Sequence, residues 1–289
     1  MTSIHRPEVD GQHIDLGGRR LYVEESGHGE GHVVFEAGLG FGRTSWDPVI
    51  PLLRDAARLT TYDRLGHGLS EPGNGPTSIP EMATTLCELI DARVPGNLVL
   101  VAHSMGGLIA RWAAVALGSR LDGLVLIDPT PETAAMYDDV TRLTRQQDRL
   151  YGLFEGLSKV RQLRPVVASV SGRPFRRVFP PATYKAIAAE DFRPSSFAQM
   201  RREAAARADA VVAFRRQPPA PPKCPVVLLS AGRVPRGAGK YLTDIQEHQR
   251  QYVDALQNAR FETADSMHII QAEQPELVSS RIREFLAAS

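Results

Sequence analysis

Leu98-Val99-Leu100-Val101-Ala102 is an unbroken apolar run that ends in His103-Ser104-Met105-Gly106-Gly107 and passes at once into a helical pattern over 108–117. A run this short, rich in Val and Leu and apolar on both faces, reads as a strand covered on both sides, as in a mainly parallel sheet flanked by helices. The feature points to a layered α/β fold. It also places a serine at a sharp strand-to-helix turn, where small neighbours are required because the helix starts close to the strand end.

Other short apolar runs repeat the theme. Arg20–Glu24 reads as an early strand in a hairpin, followed by strands at His32–Glu36, Arg58–Tyr62, Gly123–Ile127, Val226–Ser230 and Arg260–Thr263. Between them lie helices, the clearest opened by Ser78-Ile79-Pro80-Glu81, a capping box with proline in the first turn. Met82, Leu86, Leu89 and Ile90 then recur at helical spacing, with Cys87 among them as a packing residue. Leu277, Val278, Ile282, Phe285 and Leu286 form the stripe of a closing helix. The alternation stops after Ile127 and resumes at Pro225. Phe197, Met200, Ala204, Ala208 and Val211 follow steps of three and four inside that gap, and the run Pro218–Pro222 ends it. The expected architecture is a doubly wound, mainly parallel sheet domain (1–128 and 223–289) interrupted by a helical lid (129–222).

The formal net charge of +1 excludes nothing on its own, but its placement is uneven. Residues 129–217 hold 14 Arg and 2 Lys against 9 acids, a balance of +7 against −6 for the remainder. Long arginine side chains solubilise amphipathic helices, and they also suit an anionic substrate. Nucleic acid is not implied. Two cysteines give no disulfide framework and fit a reducing cytoplasm. No apolar run reaches membrane-spanning length, and Met1 to Gly18 lacks the pattern of a secretory signal. No Cys/His cluster has metal-ligand spacing and no Gly-x-Gly-x-x-Gly opens a helix after a strand, so neither metal nor nucleotide cofactor is expected.

The turn at Ser104 is a nucleophile elbow: the serine is presented on a strained turn and the helix amides behind it face developing negative charge. Ala102 stands where the pattern Gly-x-Ser-x-Gly has its first glycine, and is small enough to serve. With strand, serine, double glycine and helix in this order, the chain resembles the α/β-hydrolase superfamily over nearly everything except the lid. Phe35-Glu36-Ala37-Gly38-Leu39-Gly40 resembles that family's glycine loop after the third strand, although Ala37 replaces a histidine common there. Tyr62 to Ser70 resembles the loop after its fourth strand, and Ser266-Met267-His268 the site of its base. The resemblance implies an oxyanion hole made by the backbone amides of Leu39 and Met105. Fixed amides of this kind typically lower the barrier by about 3 kcal/mol each.

Eight histidines compete for the role of base, and the family's order of serine, acid, histidine leaves His248 and His268. His268 follows the last strand with Ser266 beside it, whereas His248 lies in a polar helical stretch. His67 and His103 read as packing residues. The acid is harder to place, because Ser230–Gly237, after the penultimate strand, holds no carboxylate. Asp128, ending the preceding strand before Pro129, takes the role, with Asp244 its rival and Asp265 too near His268 in sequence to orient its ring. Asp63 and Arg64 are assigned to loop organisation.

A Ser104–His268–Asp128 triad implies a serine hydrolase of a carboxylic ester, thioester or lactone, working through an acyl-enzyme on a small-molecule substrate. A serine nucleophile argues against opening epoxides or haloalkanes, for which the family uses aspartate. Carbon–carbon bond hydrolysis, amide hydrolysis and cofactor-free perhydrolysis fit the same triad, and a receptor-like member of the fold is the non-enzymatic alternative. Substrate identity and oligomeric state are open at this level.

Overall fold

The structure is a computed structural model, described here over residues 10–73, 77–234 and 237–287. Within these residues one sheet of eight strands runs in the order β1-β2-β4-β3-β5-β6-β7-β8. The strands are β1 (Asp10–Asp15), β2 (Arg20–Ser26), β3 (Gly31–Glu36), β4 (Ala57–Tyr62), β5 (Leu98–His103), β6 (Leu121–Ile127), β7 (Val226–Ala231) and β8 (Ala259–Ala264). The hairpin β1–β2 joins antiparallel at one edge, and the strands from β4 to β8 are parallel.

The central strands are apolar throughout because both faces are covered. Val34, Leu100, Leu126 and Leu228 point into one core with α1 (Ile79–Arg93), α2 (Gly106–Leu117) and Val253 of α7 (Gly239–Asp254). Val33, Phe35, Val99, Val101, Val125, Ile127 and Leu229 point into the other. There they meet Trp46, Val49 and Leu53, Ile270 of α8 (Ile270–Glu273), and Val278 and Ile282 of α9 (Pro275–Leu286). The period of two along each strand thus divides the residues between two cores. Helix α1 starts where the capping box places it: Ser78 Oγ accepts the Glu81 N–H at 3.3 Å.

Between β6 and β7 the chain forms α3 (Val140–Lys159), α4 (Arg164–Ser171), α5 (Pro181–Glu190) and α6 (Pro194–Arg216). Their inner aromatic residues Phe179, Phe192 and Phe197 join Met200, Ala37, Phe41 and Ile269 in a third cluster, beyond the strand ends. The same insertion is tied to the sheet domain by charge. Arg43, 1% exposed, pairs with Glu190 of α5 at 2.8 Å, and Arg64 pairs with Glu203 of α6 at 2.8 Å.

The strand order reverses between β3 and β5. In an open α/β sheet such a switch point leaves a crevice at the carboxyl ends of the two strands. The Gly38–Gly40 loop leaves β3 there, and Ser104 leaves β5.

Candidate active site

Ser104 occupies the left-handed region at φ 54°, which a side-chain-bearing residue adopts only when its surroundings hold it. Its N–H donates to Ile127 O at 2.9 Å, and its carbonyl accepts from Gly107 N at 3.0 Å and Thr130 N at 3.1 Å. The helix behind it passes so near the β3 loop that a Cβ on Gly106 would lie 2.6 Å from Ala37 O. Ala102, fully buried one residue before His103, fits without a glycine.

Three segments distant in sequence meet at this turn. His268, after β8, brings Nε2 to 3.0 Å from Ser104 Oγ, and its Nδ1 lies 2.6 Å from Asp128 Oδ2. Asp128 also has a left-handed backbone, φ 40°, and its N–H donates to Leu229 O at 2.7 Å. Its second oxygen accepts from Gln249 Nε2 at 3.0 Å and from Ala231 N at 3.3 Å. Burial pushes the Asp128 carboxyl up, but the bonds from His268, Gln249 and Ala231 outweigh it and hold it below the ordinary carboxylate value. The carboxylate is therefore ionised at neutral pH, oriented toward the imidazole.

The competing residues lie elsewhere. Asp244 accepts the Ala135 N–H at 2.8 Å and sits 3.5 Å from His248, whose Nδ1 is 2.9 Å from Thr133 Oγ1. Asp265 pairs with Arg233 at 3.2 Å. Of the loop after β7, Pro235 and Arg236 fall outside the described residues. His103 is buried, and burial pushes its imidazole down to about 3; neutral, it donates Nε2–H to the His268 carbonyl at 3.0 Å. It fixes the backbone of His268.

The β3 loop that carries Leu39 approaches the serine at Gly38, where a Cβ would lie 3.2 Å from Ser104 Cβ, and Met105 caps the start of α2. The β3 loop is gripped by one side chain. Arg64 Nη1 donates to Ala37 O and its Nη2 to Gly38 O, each at 2.7 Å. Arg64 is held in turn by Glu36 and, through Nε and Nη2, by both oxygens of Glu203 at 2.8 and 3.0 Å. Glu203 also accepts the Gly40 N–H at 3.3 Å and lies 3.0 Å from His67 Nε2. Burial pushes the Glu203 carboxyl up, but Arg64 and His67 win and hold it far below the ordinary range. An α6 carboxylate thus reaches the backbone of the loop that carries Leu39.

Sequence reasoning missed Gln249 and Glu203. The signal for Glu203 was present: it falls on the same helical face as Met200, Ala204 and Val211, so an acid there had to be buried and paired. The aromatic residues of the insertion also separate. Phe175, Phe179, Phe197, Tyr151 and Phe154 gather with Phe41 and Leu39 beside the site, whereas Tyr137 packs with Val211 and Phe214 with the α2 core. Behind Asp128, a cavity of about 430 Å³ is bounded by Pro129, Gln249, Tyr252 and the Pro218–Pro221 turn. It reaches the partner of the acid, not the serine. Among the described residues no cluster of His, Cys, Asp or Glu has the form of a metal site, and no helix is long and apolar enough to cross a membrane.

A parallel sheet with a serine on a strained turn at its switch point, met by a histidine and a carboxylate from later strands, defines the α/β-hydrolase class. Residues 33–281 match the model of the alpha/beta hydrolase family, and the chain belongs to that family. It is 32% identical over 112 residues to a protein of Azorhizobium caulinodans provisionally named carbamate hydrolase RutD, covering 39% of this chain and 42% of that one. It is also 32% identical over 118 residues to the pimeloyl-[acyl-carrier protein] methyl ester esterase of Klebsiella pneumoniae, covering 41% and 44%. Each match therefore spans less than half of the curated relative. The structure of ALR0039 from Nostoc sp. PCC 7120 superposes with a TM-score of 0.75 over 99% of this chain and 100% of that one, at 17% identity. That likeness is one of fold.

Proposed function

We propose that the protein is a serine hydrolase that cleaves a carboxylic ester, thioester or lactone through an acyl-enzyme. The observation that carries this reading is the continuous relay from Ser104 Oγ to His268 Nε2 at 3.0 Å and from His268 Nδ1 to Asp128 Oδ2 at 2.6 Å. His268 takes the Ser104 proton as Oγ attacks the carbonyl carbon. Asp128 holds the ring in the tautomer that leaves Nε2 free to accept, and stabilises the imidazolium that forms. The carbonyl oxygen becomes an oxyanion between the amides of Leu39 and Met105, at the N-terminus of α2. The imidazolium then protonates the leaving group, and a water deprotonated by His268 releases the acid.

Residues 129–222 act as a lid in this reading, with Phe41, Phe175, Phe179 and Phe197 supplying an apolar wall for the acyl group. Relatives named as an ester hydrolase and a carbamate hydrolase support cleavage beside a carbonyl carbon. The unpaired cysteines Cys87 and Cys224 are compatible with a cytoplasmic protein.

The test is hydrolysis of chromogenic esters of graded acyl length by the wild type, Ser104→Ala and Asp128→Asn, with thermal melting as a check on folding. Turnover lost in Ser104→Ala and lowered by orders of magnitude in Asp128→Asn supports the triad. Absence of ester turnover, or activity unaffected by Ser104→Ala, overturns it and favours a receptor or a non-ester reaction.

A further inference from the structure

The outer surface of α3 and α4 is unlike the rest of the protein. Leu150, Leu153, Leu157, Val160, Leu163, Val166 and Val170 are exposed, with Leu153 and Val166 each at 58%. Among the described residues these are seven of the twelve large apolar side chains exposed to solvent. Scattered exposed apolar residues are ordinary, but a run confined to 150–170 is a patch, and patches mark contacts. The spacing is helical on both sides of the α3–α4 bend: 150, 153 and 157, then 163, 166 and 170. The inward side of α3 carries Tyr151 and Phe154, packed against the cluster beside the catalytic turn. Residues Leu150, Leu153 and Leu157 have no such partner in the core.

The charge around this surface has one sign. Arg149, Arg161, Arg173, Arg176 and Arg177 are all exposed, and none pairs with a carboxylate among the described residues. The two acids of α3 in this stretch are already neutralised. Asp148 pairs with Arg201 at 2.7 Å, and Glu155 with Lys159 at 2.8 Å and Arg201 at 3.0 Å. The face thus offers apolar side chains flanked by unpaired guanidiniums. This is the composition of a helix that lies in the plane of an anionic lipid interface, with leucines and valines in the acyl boundary and arginines at the headgroups.

We propose that the α3–α4 face docks the protein peripherally on a lipid surface bearing anionic headgroups. A second copy is a poorer occupant, because two such faces would set the same arginines against one another as they desolvate. No covalent anchor and no spanning helix is needed. Seven apolar side chains and five cations are two signals acting together, burial of apolar area and attraction to anionic headgroups, whose contributions add.

The experiment is co-sedimentation of the full chain with large unilamellar vesicles, either phosphatidylcholine alone or phosphatidylcholine mixed with phosphatidylglycerol, at low and high salt. The expected result is partitioning onto the mixed vesicles that falls with salt, and little onto phosphatidylcholine. Arg161→Gln and Arg176→Gln should each weaken it about fivefold, and Leu153→Gln combined with Val166→Gln by tenfold or more, on the order expected for losing two buried aliphatic side chains. All four positions are exposed, so thermal melting should be unchanged in every variant. Three outcomes overturn the proposal: no binding to the mixed vesicles at low salt; equal binding to both vesicle types; or binding unaffected by the leucine and valine substitutions. Sedimentation velocity supplies a further one. A dimer that the Leu153→Gln and Val166→Gln variant dissolves would assign the face to a second copy. Vesicle binding is read without turnover, so its result and that of the Ser104→Ala assay stand independently.

Discussion

Asp128 carries its charge at 6% exposure because three donors meet it: His268 at one oxygen, Gln249 and the Ala231 amide at the other. Gln249 is the only side chain among these besides the base itself, and its Nε2 also reaches Pro129 O at 2.9 Å. Gln249→Leu removes both bonds at nearly constant volume and leaves Oδ1 to a single backbone N–H. A hydrogen bond to a buried charge is worth about 1.5–3 kcal/mol, part of which here orients the imidazole. We expect kcat to fall about tenfold, or about 1.4 kcal/mol of barrier, with KM little changed; ester kinetics on the variant decide. Asp191 shows the opposite environment. Burial, reinforced by the neighbouring Asp63 charge, pushes its carboxyl up from 3.8 to about 7, while Gly42 N donates to it at 3.2 Å. The folded state therefore holds a proton there that the unfolded chain has released between about pH 4 and 7, so this residue's contribution to stability is lost as pH rises through that window. Asp191→Asn stays neutral at every pH and can still accept from Gly42. The melting temperature of the variant should gain on that of the wild type as pH rises from 4 to 7, then run parallel; a constant difference would sink the assignment.

At the level of elements, what the sequence makes legible is what a periodic pattern or a local motif encodes. Strands β3, β5, β6 and β7 can be read because both faces are buried, which leaves apolar runs. Strand β1, Asp-Gly-Gln-His-Ile-Asp, cannot, because it is an edge strand held by backbone pairing to β2 and its exposed side chains carry no alternation. Ser104 is legible from the strand, turn and helix around it, and His268 from chain order. Asp128 is weaker, since any strand can end in aspartate before proline. Gln249 was invisible, because its partner lies 121 residues away and no local pattern marks it; Glu203 was marked only as an acid on the apolar face of its helix, with nothing to name Arg64, 139 residues away, as its partner. Glu203 is the clearer loss, since it joins two elements that the sequence treats separately: α6 and the β3 loop. Its carboxylate holds Arg64 against Ala37 O and Gly38 O and takes the Gly40 N–H, so in the proposed oxyanion hole it would direct the intervening Leu39 amide. In Glu203→Gln one of these donors meets an NH2 group. We expect kcat to fall by tenfold or more while KM stays within about threefold, because a misdirected amide weakens the transition state rather than the ground state. Glu190→Gln, which breaks another buried tie between insertion and sheet domain, controls for stability: it should lower the melting temperature without that loss of kcat.

Over the whole molecule the charge is divided, with +7 on residues 129–217 and −6 on the remainder, so the insertion is a basic body on an acidic one. The arginines of that body do different things. Arg201 is neutralised by Asp148 and Glu155, and Arg215 by Asp138; Arg149, Arg161 and Arg176 face solvent, where salt screens them. Arg207 fits neither group. It is 8% exposed, donates to the neutral Gln147 Oε1 at 2.7 Å, lies over the Tyr137 ring at 5.7 Å, and keeps a buried Nε without an acceptor. Among the described residues no carboxylate pairs with it. A buried guanidinium without a counter-charge is costly, and the cost is relieved when an anion arrives. Arg207 lies one turn beyond Glu203 on α6, and for the proposed hydrolase we assign the relieving anion to the substrate. An ester carrying a carboxylate on its acyl or leaving group should then be preferred over its neutral, isosteric counterpart. The preference should shrink about tenfold or more in Arg207→Met, since a charge-assisted hydrogen bond in a buried site is worth about 1.5–3 kcal/mol. Salt separates this from the exposed arginines: they accelerate encounter and lose their effect as ionic strength rises, whereas Arg207, shielded from ions, keeps its share. The measurement is kcat/KM for the matched pair in wild type and Arg207→Met at low and high salt. A preference that survives salt and disappears with Arg207 assigns recognition of the anion to that residue. A preference lost in salt alone assigns it to the surface field, and equal values for the two esters remove the anionic substrate altogether.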